Sequence, residues 1–154
     1  MSNGEAARFW SYIEGATDRI VGALDGLEPD ELNWRPAGPE TNSLFVLATH
    51  TLGALDETLL GVLCGEPRSR DRDAEFVASD STAEAPVARW ADLRRAIGER
   101  LAALPDEALD EARQHPRRGA TTGRDLLIFT AQHAAEHAAH TELTRQLIEA
   151  RRGS

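Results

Sequence analysis

The sequence predicts an all-α protein, a four-helix bundle with a long connector between the second and third helices. Three observations carry that expectation. Apolar residues recur at three- and four-residue steps in four stretches, turn residues separate the stretches, and no strand pattern of any length competes. At 154 residues the chain suits a single domain over residues 1–154, and its 41% hydrophobic share can build a core.

The first helix is expected over residues 5–27, where Phe9, Ile13, Ala16, Ile20, Leu24 and Leu27 line one face. Pro29 and the turn-rich residues 28–41 end it. The second begins at Asn42 or Ser43, either able to cap a free backbone N–H, and runs to 63 before Gly65 and Pro67. Leu44, Leu47, Leu55, Leu59 and Val62 form its stripe.

Residues 66–82 are polar, mixed in charge and long for a connection, so they read as a crossover or a flap over the bundle. The third helix, 83–104, opens on Ser81 and Glu84 at capping-box spacing with Pro86 in the first turn. Trp90, Leu93, Ile97, Leu101 and Leu104 are its apolar face. The fourth covers 122–151, with Thr122 and Asp125 as a second capping pair and Arg151 and Arg152 at the negative end of its dipole.

Charge narrows the function. A net charge of −9 with no lysine offers no basic face for phosphates, which argues against nucleic acid and anionic membrane surfaces as partners. The richest apolar stretch, residues 44–63, is interrupted by His50, Asp56 and Glu57 and is read as too polar to span a bilayer. The first thirteen residues hold no secretory-type core, and the lone Cys64 precludes an internal disulfide. Those features predict a cytoplasmic protein. Cys64 itself reads as a buried apolar residue, since nothing nearby in sequence lowers its pKa.

The chemistry lies in the histidines. Three of five, His133, His137 and His140, fall within eight residues of the fourth helix. His133 and His137 are one turn apart and about 40° apart around the axis, the spacing by which one helix offers two imidazoles to one ion. His140 lies two turns from His133 and can pair with His137 only. H-E-x-x-H is absent, because Glu136 directly precedes the second histidine, so a metalloprotease is excluded. His50, with the small Gly53 and Ala54 one turn on, is a candidate third ligand from the second helix. Spacing alone leaves open a metal site or polar histidines satisfied in the core.

Longer motifs go further. Leu32-Asn33-Trp34-Arg35-Pro36, Thr41-Asn42-Ser43 and Ala48-Thr49-His50-Thr51-Leu52-Gly53 resemble the second-helix signature of the DinB/YfiT-like superfamily. Arg70 to Phe76 is similar to the connector of one branch, and His133-x-x-x-His137 with Ala138-Ala139-His140 and Leu143 to the final-helix signature. The resemblance implies a four-helix bundle holding a divalent metal, commonly zinc or nickel, through His50, His133 and His137. It implies His140 as a neighbour or exchangeable ligand, where many members have Gly-Gln after the last ligand. It implies kinship with isomerases and transferases that use a low-molecular-weight thiol such as mycothiol or bacillithiol, including mycothiol-dependent maleylpyruvate isomerase, and with homodimers. Such a metal can polarise a carbonyl, acidify bound water or hold a thiolate. Its occupancy should fall as pH drops through the imidazole range. The competing reading is a non-catalytic metal-binding bundle with an interaction or stress-response role.

Other residues are weaker candidates. Glu57, two turns from His50, reads as a solvated helix carboxylate with a base near the pocket as the alternative. Glu136 flanks the histidine stripe and reads as surface charge, with orientation of an imidazole as its alternative. Arg113, His115, Arg117, Arg118 and Arg124 form the one locally basic stretch; its arginines are candidates to hold an anion or a thiol cofactor's carboxylate at the fourth helix's N-terminus. Trp34 is expected to plug the bundle end, and Trp10, Tyr12 and Trp90 to lie in the core or an interface.

Overall fold

Helix α1 (Glu5–Gly22) stops about a turn earlier than its apolar stripe suggests; the chain turns away with Gly26 at φ +70°, and Arg145 Nη1 donates to the freed carbonyls of Ala23 and Asp25 at 2.7 and 2.6 Å. The computed structural model describes residues 4–153; residues 1–3 and 154 of the expected domain lie outside the described residues. The segment read as turn contains a one-turn helix, α2 (Pro29–Leu32), closed by a reciprocal Glu28–Glu31 capping box and anchored by buried Leu32.

Helix α3 (Leu44–Leu55) begins where expected, with Ser43 Oγ accepting from Val46 N at 3.1 Å. It continues as a π-helix over Asp56–Leu63. Together these twenty residues are long and apolar enough to cross a membrane, which corrects the expectation that no segment is. The protein itself covers 72% of the stretch, as befits the core helix of a folded domain.

The connector after it holds another short helix, α4 (Arg72–Glu75), capped by Asp71 on Ala74 N at 3.0 Å. Helix α5 (Glu84–Ala103) lacks the expected Ser81–Glu84 capping box. The Ser81 amide turns to Asp80 at 2.7 Å instead, and the N-cap position is Ala83.

A 3₁₀ turn (Asp106–Asp110) then leads to a two-stranded hairpin, β1 (Ala112–His115) and β2 (Gly119–Thr122). The hairpin corrects the all-helical expectation. Its antiparallel register pairs Ala112 with Thr122 and His115 with Gly119, leaving a three-residue loop that closes on Gly119 at φ +75°. Helix α6 (Gly123–Arg152) follows, with Thr122 Oγ1 accepting from Asp125 N at 3.2 Å.

Four long helical stretches, α1, α3 with its π extension, α5 and α6, pack together, α6 lying chiefly against α1. Trp10 and Trp90 are buried in a core cluster with the α3 leucines, whereas Tyr12 is exposed. Trp34 packs on a second cluster around Ile20, Leu44 and Ile148, with Arg151 over its ring. Buried Ala48, Ala134 and Ala138 flank the site histidines, small enough to let α3 and α6 approach closely.

Candidate metal centre

Helix α3 brings His50 to face His133 and His137 of α6. The Nε2 of His133 lies 3.4 Å from that of His50 and 3.0 Å from that of His137. All three ligand atoms fall within 4.8 Å of one another, so the group can hold a metal ion.

Tautomers sharpen the fit. His50 Nδ1 lies 3.1 Å from Glu75 Oε1 and 3.3 Å from Arg70 Nη2; the ionised carboxylate can only accept, so the tautomer that answers it carries the proton on Nδ1 and leaves Nε2 a bare lone pair facing His133. One proton on His133 Nε2 can be given to only one neighbour, so protein hydrogen bonding cannot serve all three nitrogens. An ion serves all three. Two nitrogens bound at about 2.0–2.1 Å in a tetrahedron stand roughly 3.3–3.4 Å apart, close to the spacings found. The donor set is neutral imidazole throughout, which suits zinc, nickel and similar divalent ions.

Burial is the main cause of the proton affinities here. It pushes His133 down to about 4, assisted by His50 and by the positive charges of Arg70, Arg118 and Arg72. It pushes His137 down to about 3, with His133, His50 and His140 adding to the effect. These two imidazoles are therefore unprotonated, and ready as ligands, well below neutral pH.

His50 is built in from behind. Arg70 grips the Glu75 carboxylate with two bonds, Nε to Oε2 at 2.8 Å and Nη2 to Oε1 at 2.7 Å. Burial raises the Glu75 pKa, but the bonds from Arg70 and His50 outweigh it and hold the carboxyl below its usual range. This is the carboxylate–histidine arrangement that fixes a ligand's tautomer. Gly53 is what makes room for it: a Cβ there would stand 1.9 Å from Glu75 Oε2. Among the described residues, His137 Nδ1 and Thr141 Oγ1 are the buried side-chain atoms without a hydrogen-bond partner, so the third ligand has no comparable brace.

The DinB superfamily model matches residues 12–141, most of the chain. The chain belongs to the DinB superfamily. Two solved structures share its fold. A conserved protein from Enterococcus faecalis superposes with a TM-score of 0.77 at 16% identity, covering 96% of this chain and 98% of its own. A DinB-like protein from Bacillus cereus ATCC 10987 gives 0.71 at 17% identity, covering 92% and 89% respectively. No curated protein matches the chain.

Beside the DinB triad lies a cavity of about 200 Å³ whose lining includes Arg70, Arg72, Arg117, Arg118, His115, Phe129, His50 and His133. The structure divides the predicted arginine cluster. Arg117 and Arg118 line this cavity. Arg113 instead reaches Glu111 and the Leu63 carbonyl, and Arg124 binds Glu5 and Asp110 at the root of α6.

Glu57 is not solvated as expected: Arg117 bonds it, Arg70 lies at 3.4 Å, and its side chain is 16% exposed. Glu136 is exposed and makes no hydrogen bond to the three imidazoles. His140 is exposed, with its ring centroid 5.8 Å from that of His137 and outside the converging group. Cys64 is half-buried, and burial with nearby Glu66 raises its pKa, so no thiolate forms there at neutral pH.

Sequence reasoning missed Glu75, Arg70, Phe76 and Phe129. Phe76 packs on His50 with centroids 4.8 Å apart and Phe129 on His133 at 5.6 Å. Two signals were available: the Arg70 to Phe76 connector motif, which assigned no role to its residues, and the Gly53-Ala54 pair, read as space for an imidazole when Gly53 in fact clears space for a carboxylate.

Proposed function

We propose that the chain is a divalent-metal-dependent enzyme, with zinc or nickel held by His50, His133 and His137, acting on small electrophiles as a thiol-dependent S-transferase or isomerase. The observation that carries the reading is the meeting of three Nε2 atoms beside a cavity open to a small molecule. A closed structural site has four protein ligands, and this group has three. When bound, a divalent ion keeps its full charge among neutral imidazoles and supplies Lewis acidity to a carbonyl, water or thiolate.

The chain's own residues do the rest. Glu75 accepts the His50 Nδ1 proton and so keeps Nε2 free, while Arg70 holds Glu75 in place. Phe76 and Phe129 cover the outer faces of two ligand rings and shield them from water. His115 Nδ1 accepts the amides of Arg117 and Arg118 at 3.1 and 3.3 Å, which sets the hairpin loop against the cavity.

The test is elemental analysis of untagged protein purified without chelator, beside His50→Ala and His137→Ala. About one ion per chain, lost in both variants, supports the site and leads to a screen of low-molecular-weight thiols with electrophiles. A folded metal-free form without turnover would favour catalysis, whereas unfolding on chelation would favour a structural metal. Wild-type protein that binds no ion after incubation with several would overturn the reading.

A further inference from the structure

The cavity beside the triad is cationic in a protein that is otherwise acidic. Four of the residues lining it are arginines and none is a carboxylate, although the chain as a whole carries a net charge of −9. The four arginines are not equivalent. Arg70 is engaged by Glu75 and Arg117 by Glu57, so their charges are already met within the protein.

Arg72 and Arg118 are held differently. The Arg72 guanidinium lies over the Phe76 ring, 4.9 Å from its centroid, and Arg118 over Phe129 at 3.1 Å. Each of those rings packs in turn on a ligand imidazole, His50 or His133. The site thus holds two similar stacks of arginine, phenylalanine and histidine, and both arginines and both histidines line one cavity. Neither guanidinium makes an ion pair with a carboxylate among the described residues. Stacking fixes the plane of each guanidinium while leaving its N–H edge free, and two such edges suit the oxygens of a carboxylate. At about 200 Å³ the space is smaller than a drug-sized pocket, which limits the ligand to a few carbon atoms.

We propose that Arg72 and Arg118 form a carboxylate-binding subsite that orients a small organic acid beside the three histidines. The inference rests on the proposed metal site for the fate of the ligand's other end, but not for its own existence. It makes the substrate or co-substrate a carboxylate-bearing molecule, and it assigns Arg72 a role that the predicted arginine cluster omitted.

The test is calorimetric titration of succinate, and of its neutral counterpart succinamide, into zinc-incubated protein whose zinc content is measured on the same sample. Arg72→Gln, Arg118→Gln and the double variant are compared with Arg95→Gln, an exposed arginine paired only with Asp92. The expected result is binding of succinate but not succinamide. Each single cavity variant should weaken binding about tenfold, the double variant should abolish it, and Arg95→Gln should leave it unchanged. Zinc content should stay the same in all of them.

Equal binding of succinamide, or unchanged succinate affinity in both cavity variants, would overturn the subsite. Zinc bound with no succinate overturns it as well and leaves the metal reading standing. Succinate bound through the two arginines by protein that takes up neither zinc nor, in a parallel incubation, nickel or other divalent ions upholds the subsite and overturns the metal reading. Inorganic phosphate binding more tightly than succinate overturns the carboxylate assignment.

Discussion

His115 is a buried imidazole and His133 and His137 are half-buried ones, and removal from water lowers the proton affinity of all three. They differ in what meets their nitrogens. His115 Nδ1 accepts two backbone amides, so Nε2 carries the proton and donates to Thr58 Oγ1 at 3.2 Å. Every polar atom of that ring is answered by the protein. The ligand histidines instead turn nitrogen towards nitrogen, an arrangement the protein cannot satisfy alone. Burial and a shifted pKa therefore do not mark a functional histidine; the partner of each ring atom does.

The largest effect should come from removing one member of each kind. His137→Ala should abolish stoichiometric metal binding with the fold intact by circular dichroism. His115→Ala should keep about one ion per chain and lose roughly 1–3 kcal/mol in denaturant unfolding, because Thr58 and two amides lose a buried partner. Metal loss in His115→Ala would break the comparison.

Next come the residues behind His50. Glu75→Gln should lower metal affinity about 10- to 100-fold in competition with a chromogenic chelator. Gly53→Ala should act in the same direction, since its new methyl occupies the place of the Glu75 carboxylate. Unchanged affinity in both would mean that His50 needs no brace.

Acid should separate the two regimes more gently. The unfolded chain takes up protons on histidine near pH 6.5, whereas folded His133 and His137 do so only near 4 and 3. Stability from these rings is complete above pH 6.5 and is lost as pH falls towards those values, a loss read from denaturant unfolding of metal-free protein across that range. Metal release should accordingly centre well below the ordinary imidazole range, measurable as bound ion against pH after gel filtration. Release centred at pH 6.5 would contradict the burial argument.

The smallest effect is a control. His140→Ala should leave metal stoichiometry unchanged and stability within about 0.5 kcal/mol, as for other exposed positions. A lost ion there would place His140 among the ligands.

How much of this was legible differs by element. Ser43 and Thr122 announced their helices because an N-cap is a local signal, read within four residues. The Ser81–Glu84 pair had the same spacing and failed, since Asp80 competes for the Ser81 amide. The hairpin strands are four residues each, too short and too polar to show alternation; only Gly119 hinted at the turn. His133 and His137 were visible through helical periodicity, and His50 through resemblance of its flanking motif. Glu75 and Arg70 were not, because the connector places several charges in a row and nothing periodic tells which turn inward.

The three candidate ligands arrive from distant parts of the chain: His50 and His133 are 83 residues apart, while His133 and His137 share one helical turn. An unfolded chain offers an ion only fragments of this group, so the complete set exists only after α3 and α6 have docked. Ion uptake by the proposed site would in that sense report on assembly. Each tenfold rise in free ion above the dissociation constant would shift the folding equilibrium by about 1.4 kcal/mol, tying the protein's lifetime to the metal supply around it.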